Sequence, residues 1–200
     1  MILNEIVGSV VQVLLFTLVP FIVWLIFARK TEKFFSWIGL KKPACENVLK
    51  LIAISAAVVV VYIAAMILVT RNLPEGVTTA GSEFAGKGGA ALPAVIFYAV
   101  IRTALSEEIL FRGFILKIFQ RKFGFMVGNT VQAVLFGLMH GVPFGIATKS
   151  VVAFLLLTLL PGLIGWYEGW MNEKKCGGSI IPGWILHSCF NLATSILTLF

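Results

Sequence analysis

Six apolar runs divide the chain, at residues 6–28, 48–69, 93–119, 125–140, 151–170 and 180–200, with polar or charged stretches between them. A helix rises ~1.5 Å per residue, so ~20 apolar residues cross a ~30 Å hydrocarbon core. The pattern predicts an all-α, polytopic integral membrane protein of about six transmembrane helices. It is read as a single membrane domain over 1–200. Residues 1–92 supply two accessory spans and a loop, and residues 93–200 supply a four-helix core, spans three to six.

Punctuation within the runs refines this. Pro93 is acceptable in a first helical turn, and Pro161 predicts a kink in span five. Gly124/Gly128 and Gly137/Gly141 are GxxxG pairs that permit close helix approach. Residues 71–92 are polar and rich in glycine (Gly81, Gly86, Gly88, Gly89), which reads as a plain linker over one face. Phe34, Phe35, Trp37 and Ile38 stand beside Lys33, Lys41 and Lys42. They predict either a short interfacial segment or a loop with an aromatic anchor.

Composition agrees: 59% of residues are hydrophobic and only 12% are charged, with a mean hydropathy of +0.99. An ordinary soluble domain is excluded. The net charge of +7 does not point to nucleic acid, because the cations sit in short loops between spans. The loops after spans one, three and five hold Arg29, Lys30, Lys33, Lys41, Lys42, Lys50, Lys117, Arg121, Lys122, Lys174 and Lys175. The opposite side holds Arg71, Lys87 and Lys149. This bias predicts cytoplasmic odd loops and both termini outside. The first run lacks a basic flank before it and a clear cleavage site, so it reads as a retained span. Cys45, Cys176 and Cys189 form no CxxC pair and no even framework. No disulfide or thiolate metal site is expected from them, and Cys189 reads as a packing residue.

Against this apolar background, Ser106-Glu107-Glu108-Ile109-Leu110-Phe111-Arg112 places three charges inside span three. An ionisable group at membrane depth is expensive unless paired or facing a wet cavity, so it is a functional hypothesis by default. Glu108 and Arg112 are four apart on one helix face and predict an internal ion pair. Glu107 projects roughly 100° away and is left outside that pair. Neighbouring carboxylates repel in a low dielectric, which suits one of them to general-base work.

The chain's two histidines, His140 and His187, lie in spans four and six. His187 and Asn191 are four apart, and an Asn side chain can donate to a developing oxyanion. Counted from the cytoplasmic helix ends, Glu107 and His140 lie ~21–22 Å deep, Asn191 ~18 Å and His187 ~12 Å. All fall in one polar layer. Such a layer is either a site or a buried polar lock between helices, and a lock does not need an unpaired carboxylate.

Glu107-Glu108-x-x-x-Arg112, Phe136-x-x-x-His140 and His187-x-x-x-Asn191, in this order on three spans, resemble the three motifs of the CPBP intramembrane protease family. That family includes type II CAAX prenyl endopeptidases and bacterial Abi proteins linked to bacteriocin processing and self-immunity. The resemblance covers spans three to six. It implies a glutamate-dependent membrane endopeptidase in which Glu107 activates water and His140 helps to orient it. It also implies that His187 and Asn191 stabilise the oxyanion, with Arg112 supporting the site and Glu108 both supporting it and sharing in catalysis.

The family has also been described as metal-dependent. Glu107, His140 and His187 are the candidate zinc ligands, although no HExxH helix is present. The metal-free mechanism is the leading expectation, with no cofactor. The expected partners are the lipid bilayer and a peptide or membrane-tethered protein substrate, such as a leader, signal or bacteriocin-precursor peptide, in a bacterial plasma membrane. The alternative is a non-catalytic immunity or scaffold protein that uses the same layer as a recognition pocket.

Overall fold

The computed structural model describes residues 1–71 and 83–199, and every element among them is helical. The helices are α1 (Ile2–Phe27), α2 (Phe34–Trp37), α3 (Val48–Arg71), α4 (Gly89–Phe123), α5 (Phe125–Thr148), α6 (Val151–Lys175) and α7 (Ile181–Leu199). Five of them, α1 and α3 to α6, are long and apolar enough to cross a membrane. The expected sixth span is present as the helix α7, but it is not among those five. Pro182, His187, Asn191 and several hydroxyl side chains dilute its apolar character. Its polar face turns into the protein, where His187, Ser188 and Ser195 are buried.

Several runs extend further than their hydropathy implies. Span four continues past His140 through Pro143 to Thr148, and span three runs unbroken from Gly89 to Phe123. The turn after α4 falls at Gly124, whose φ of 84° suits a residue without Cβ. Gly137 and Gly141 meet Thr158 and Phe154 of α6, the close approach expected of that pair. Gly128 instead packs against Leu116 and Gln120 of the preceding helix, while Gly124 makes the turn. Small residues on both partners make the α5–α6 seam, since Gly162 faces Ala133 and Gly137 in return.

The aromatic segment after α1 is more than an interfacial anchor. Phe35 is exposed, but Trp37 and Ile38 are buried in a cluster with Ala28, Ile109 and Ile180. The described part of the Gly-rich connection is also packed rather than a free linker. Phe84 is buried against Tyr98, with ring centroids 5.3 Å apart, and the Gly88 amide donates to Leu199 O (3.1 Å). Residues 72–82 of that connection lie outside the described residues.

The cysteines differ from expectation. Cys45 and Cys176 form a disulfide, and Cys189 is exposed on α7. Spacing along the chain could not reveal this pair, because 131 residues separate its members. Two backbone hydrogen bonds hold their segments together: Ala44 N–H donates to Cys176 O (3.3 Å) and Glu46 N–H to Lys175 O (3.2 Å).

Candidate functional site

The middle of α4 departs from regular α-helix. Ser106–Glu108 is a single α turn set between two π-helical stretches, Phe97–Leu105 and Ile109–Leu116. A π-helical turn leaves carbonyls without their usual partner, and such turns recur at functional sites. Here side chains take the carbonyls up. Thr103 Oγ1 donates to Tyr98 O (3.0 Å) or Ala99 O (3.1 Å), and Trp184 Nε1 of α7 donates to Val100 O (2.7 Å). Asn191 Nδ2 donates to Thr103 Oγ1 (2.8 Å) and reaches Ala99 O (3.4 Å). α7 is thereby stitched to α4 along the face that carries Glu107.

The two adjacent glutamates go separate ways, as their 100° offset requires. Glu108 is fully buried and ion-pairs with Arg112 (Nη1 to Oε1, 3.2 Å), the pair expected from their spacing. Its Oε1 also takes His187 Nδ1 (3.3 Å), and its Oε2 takes Asn172 Nδ2 (3.5 Å). Asn172 belongs to the π-helical end of α6, Met171–Lys175, and its Oδ1 accepts the Gly183 amide (2.9 Å). Gly183 must remain small, because a Cβ there would lie 2.5 Å from Asn172 Nδ2 and 2.7 Å from Glu108 Oε2.

Glu107 is 8% exposed, and its Oε2 is buried without a hydrogen-bond partner. His187 Nε2 lies 3.6 Å from that oxygen. His187 therefore stands between the glutamates with one ring nitrogen toward each. A ring protonated on both nitrogens can donate to both, whereas a neutral ring can donate to only one.

A cavity of about 370 Å³ opens onto this group. Glu107, His140, His187, Asn191 and Thr103 supply its polar wall, and Tyr62, Met66, Leu157 and Phe190 are among its apolar lining. Its lining thus includes residues of α3, outside the motif-bearing helices. His140 is half-buried, its Nδ1 bonded to Phe136 O (2.9 Å) and its ring packed on Phe136 at 4.6 Å. Phe136 also meets His187 edge-on (5.6 Å) and lies under the Arg112 guanidinium (4.1 Å), a cation–π contact. One aromatic ring orients three of the motif side chains.

Every residue singled out from the sequence lies in or against this region, but not all touch. Glu107, His140, His187 and Asn191 share the cavity, while Glu108 and Arg112 sit behind it. Two members were missed, Asn172 and Glu168. Glu168 is fully buried and ion-pairs with Arg112 Nη2. The signal for Glu168 was available: it is a carboxylate inside an apolar run, the same oddity that exposed Glu107.

The zinc alternative can be tested on geometry. Among the described residues, one set of three candidate ligands has its donor atoms within 4.8 Å of each other, and it is Glu108, Glu168 and His187. The expected set of Glu107, His140 and His187 lines one cavity but is not gathered in that way. In the gathered set, both carboxylates already pair with the Arg112 guanidinium, whose fixed positive charge competes with a metal ion. The residues present do not fit a resident zinc.

Comparison with known proteins gives one result. The family model of type II CAAX prenyl endopeptidase Rce1-like proteins matches residues 89–193, from the start of α4 to within α7. No curated protein and no solved structure matches the chain. The match covers more than half of the 200 residues and includes all three motifs together with the buried Glu168 and Asn172. An all-helical membrane architecture, a buried carboxylate facing a cavity and this match lead to one statement: the chain belongs to the type II CAAX prenyl endopeptidase Rce1-like family.

Proposed function

We propose that this protein is a glutamate-dependent intramembrane endopeptidase and that Glu107 is its general base. The observation that carries the proposal is the orphaned Glu107 Oε2, buried in the wall of a cavity shared with two histidines and Asn191. Burial of an unpartnered carboxylate oxygen is costly, and a turn of the carboxylate that brings Oε2 to the cavity, where water or a substrate group can bond it, relieves that cost.

In the proposed step, Glu107 takes a proton from water as the water oxygen bonds to the scissile carbonyl carbon. The carbonyl π pair moves to oxygen, giving a tetrahedral oxyanion. Donors on His187 and Asn191 face that charge across the cavity, and the Asn191 amide must loosen its contact with Ala99 O to do so. Collapse of the intermediate breaks the C–N bond, and the proton on Glu107 passes to the departing amine. His140 holds its Nδ1 on Phe136 O, which leaves Nε2 to orient the water.

The substrate class is a peptide or membrane-tethered protein, with bacterial leader, signal or bacteriocin-precursor peptides foremost. The apolar flank of the cavity suits an extended segment lying beside the bilayer. Residues 93–200 form the catalytic core and residues 1–92 the accessory part of one domain. The surplus of cations in the segment after α1 and in the last turns of α4 and α6 favours both termini outside a bacterial plasma membrane.

The test is a comparison of protein N-termini in host membranes carrying wild-type protein or Glu107→Gln. New N-termini that appear with wild type and vanish with the variant are the expected result. Identical sets of termini would remove Glu107 as general base, and if membranes without the protein show that set too, the pocket is left as a recognition site and the immunity or scaffold role is favoured.

A further inference from the structure

Three carboxylates, Glu107, Glu108 and Glu168, converge on one arginine and one histidine in this core. The proposed chemistry uses Glu107 and needs Glu108 to hold His187, but it gives Glu168 no task. Burying a third carboxylate without a role is expensive. Its only ion-pair partner among the described residues is Arg112, which it reaches from α6. That reach depends on Gly165 one turn away, where a Cβ would lie 3.1 Å from Arg112 Nη2.

The geometry around Arg112 shows what Glu168 changes. A guanidinium and a carboxylate four residues apart on one helix can form a two-pronged pair that occupies both oxygens. Here the fork is split: Nη1 lies 3.2 Å from Glu108 Oε1 in an ion pair without a directed hydrogen bond, and Nη2 goes to Glu168. Glu108 Oε1 is then shared between Arg112 and His187 Nδ1 at 3.3 Å, and Oε2 remains for Asn172 at 3.5 Å. Phe136 stacks on the guanidinium at 4.1 Å and keeps it in the plane that permits this division.

We propose that Glu168 is a positioning residue. By drawing one prong of Arg112 to α6, it keeps Glu108 open to His187 Nδ1–H, and so aims His187 Nε2 at Glu107 and the cavity. The link to cleavage rests on the function proposed above, whereas the effect on His187 does not. Loss of the Glu168 charge lets Arg112 close on both Glu108 oxygens and displaces His187.

The chain's only histidines are His140 and His187, so selective ¹⁵N-histidine labelling of purified protein in micelles reports two imidazoles, assigned with His140→Gln. In wild type, His187 is expected to show a carboxylate-bonded Nδ1–H resonance. Glu168→Gln is expected to remove it or move it upfield while leaving His140 in place. The double variant Arg112→Gln/Glu168→Gln is expected to restore it, because no cation then competes for Glu108. A merely structural role for Glu168 would not produce that restoration.

Should Glu168→Gln not accumulate as folded protein, Glu168→Asp withdraws the charge by one methylene, and a partial shift is expected. An unmoved His187 resonance in the single variant, or no recovery in the double, overturns the proposal. With a substrate from the N-terminus comparison, Glu168→Gln should lower kcat about tenfold with KM unchanged. If Glu107→Gln cleaves normally, the reading of Glu107 as general base fails, but the His187 resonance still decides the role of Glu168.

Discussion

Two arginines on the same helix, Arg102 and Arg112, face opposite fates. Arg102 pairs with Glu5 of α1 at 3.1 Å and is one-third exposed, at 33%. It also donates to Gln12 Oε1 (3.3 Å), whose amide reaches Ser106 Oγ (3.3 Å). One cation meets one carboxylate, the remaining partners are neutral, and the cluster ties α1 to α4. Arg112 is fully buried and meets two carboxylates, with a third one histidine away. The first cluster balances its charge and leads nowhere. The second leaves Glu107 Oε2 unsatisfied at the wall of a cavity. Imbalance beside an open space, more than the presence of charge, separates a site from a lock.

The sharpest way to break the comparison is to remove one carboxylate from each cluster. Glu107→Gln should reduce cleavage by about 10²–10⁴-fold, the usual contribution of a general base, while Glu5→Gln should leave kcat within a few-fold of wild type. Equal losses in a peptidase assay would erase the distinction.

Stability should separate the arginines as clearly. Arg112→Met strands two buried carboxylates and should cost about 3–5 kcal/mol. Arg102→Met, at a partly exposed pair, should cost about 1 kcal/mol or less. Thermal unfolding in detergent measures both.

Gly183→Ala probes the support behind Glu108. Its Cβ would press on Asn172 and Glu108, so a loss of about 1–3 kcal/mol is expected from overpacking, with a lower kcat. Smallest of all, Thr103→Val removes the hydroxyl that receives Asn191 Nδ2. It should cost about 1 kcal/mol and lower kcat, while Thr103→Ser should restore both.

The comparison also shows where reading from sequence succeeds. Helical spans are legible because hydrophobicity is additive along a run, and the Glu108–Arg112 pair is legible because it is local, four residues on one face. Glu107 was set apart by the same helical arithmetic. Asn172 and the Cys45–Cys176 disulfide were not found, since each acquires its meaning from a partner on another helix or loop; Glu168 was legible as a carboxylate in an apolar run, but its partner Arg112 on α4 was not. The π-helical turns of α4 were invisible for a related reason. Two of the side chains that satisfy their carbonyls, Asn191 and Trp184, lie on α7.

α7 itself fell between categories. Its polar residues weaken its apolar signal because they serve the pocket. The accessory label given to α1 and α3 also needs qualification. Both are apolar and almost free of buried residues over their most hydrophobic windows. Yet α1 docks on the motif helix through Glu5 and Ser9, and α3 lends Tyr62 and Met66 to the cavity wall.

Joining Cys45 to Cys176 turns a linear chain into a ring with two tails. The ring encloses α3, α4, α5 and α6 and therefore holds Glu107, Glu108, Arg112, His140, Glu168 and Asn172. His187 and Asn191 stand on the second tail, which leaves the ring through Gly177 and Gly178, both at positive φ. A single peptide-bond cut inside the ring would not release a fragment until the bond is reduced. A cut at the glycine pair would separate α7 with its histidine at once. Thiol state thus decides which scissions the protein survives in one piece, and the two tails, α1 and α7, are the parts that no disulfide protects.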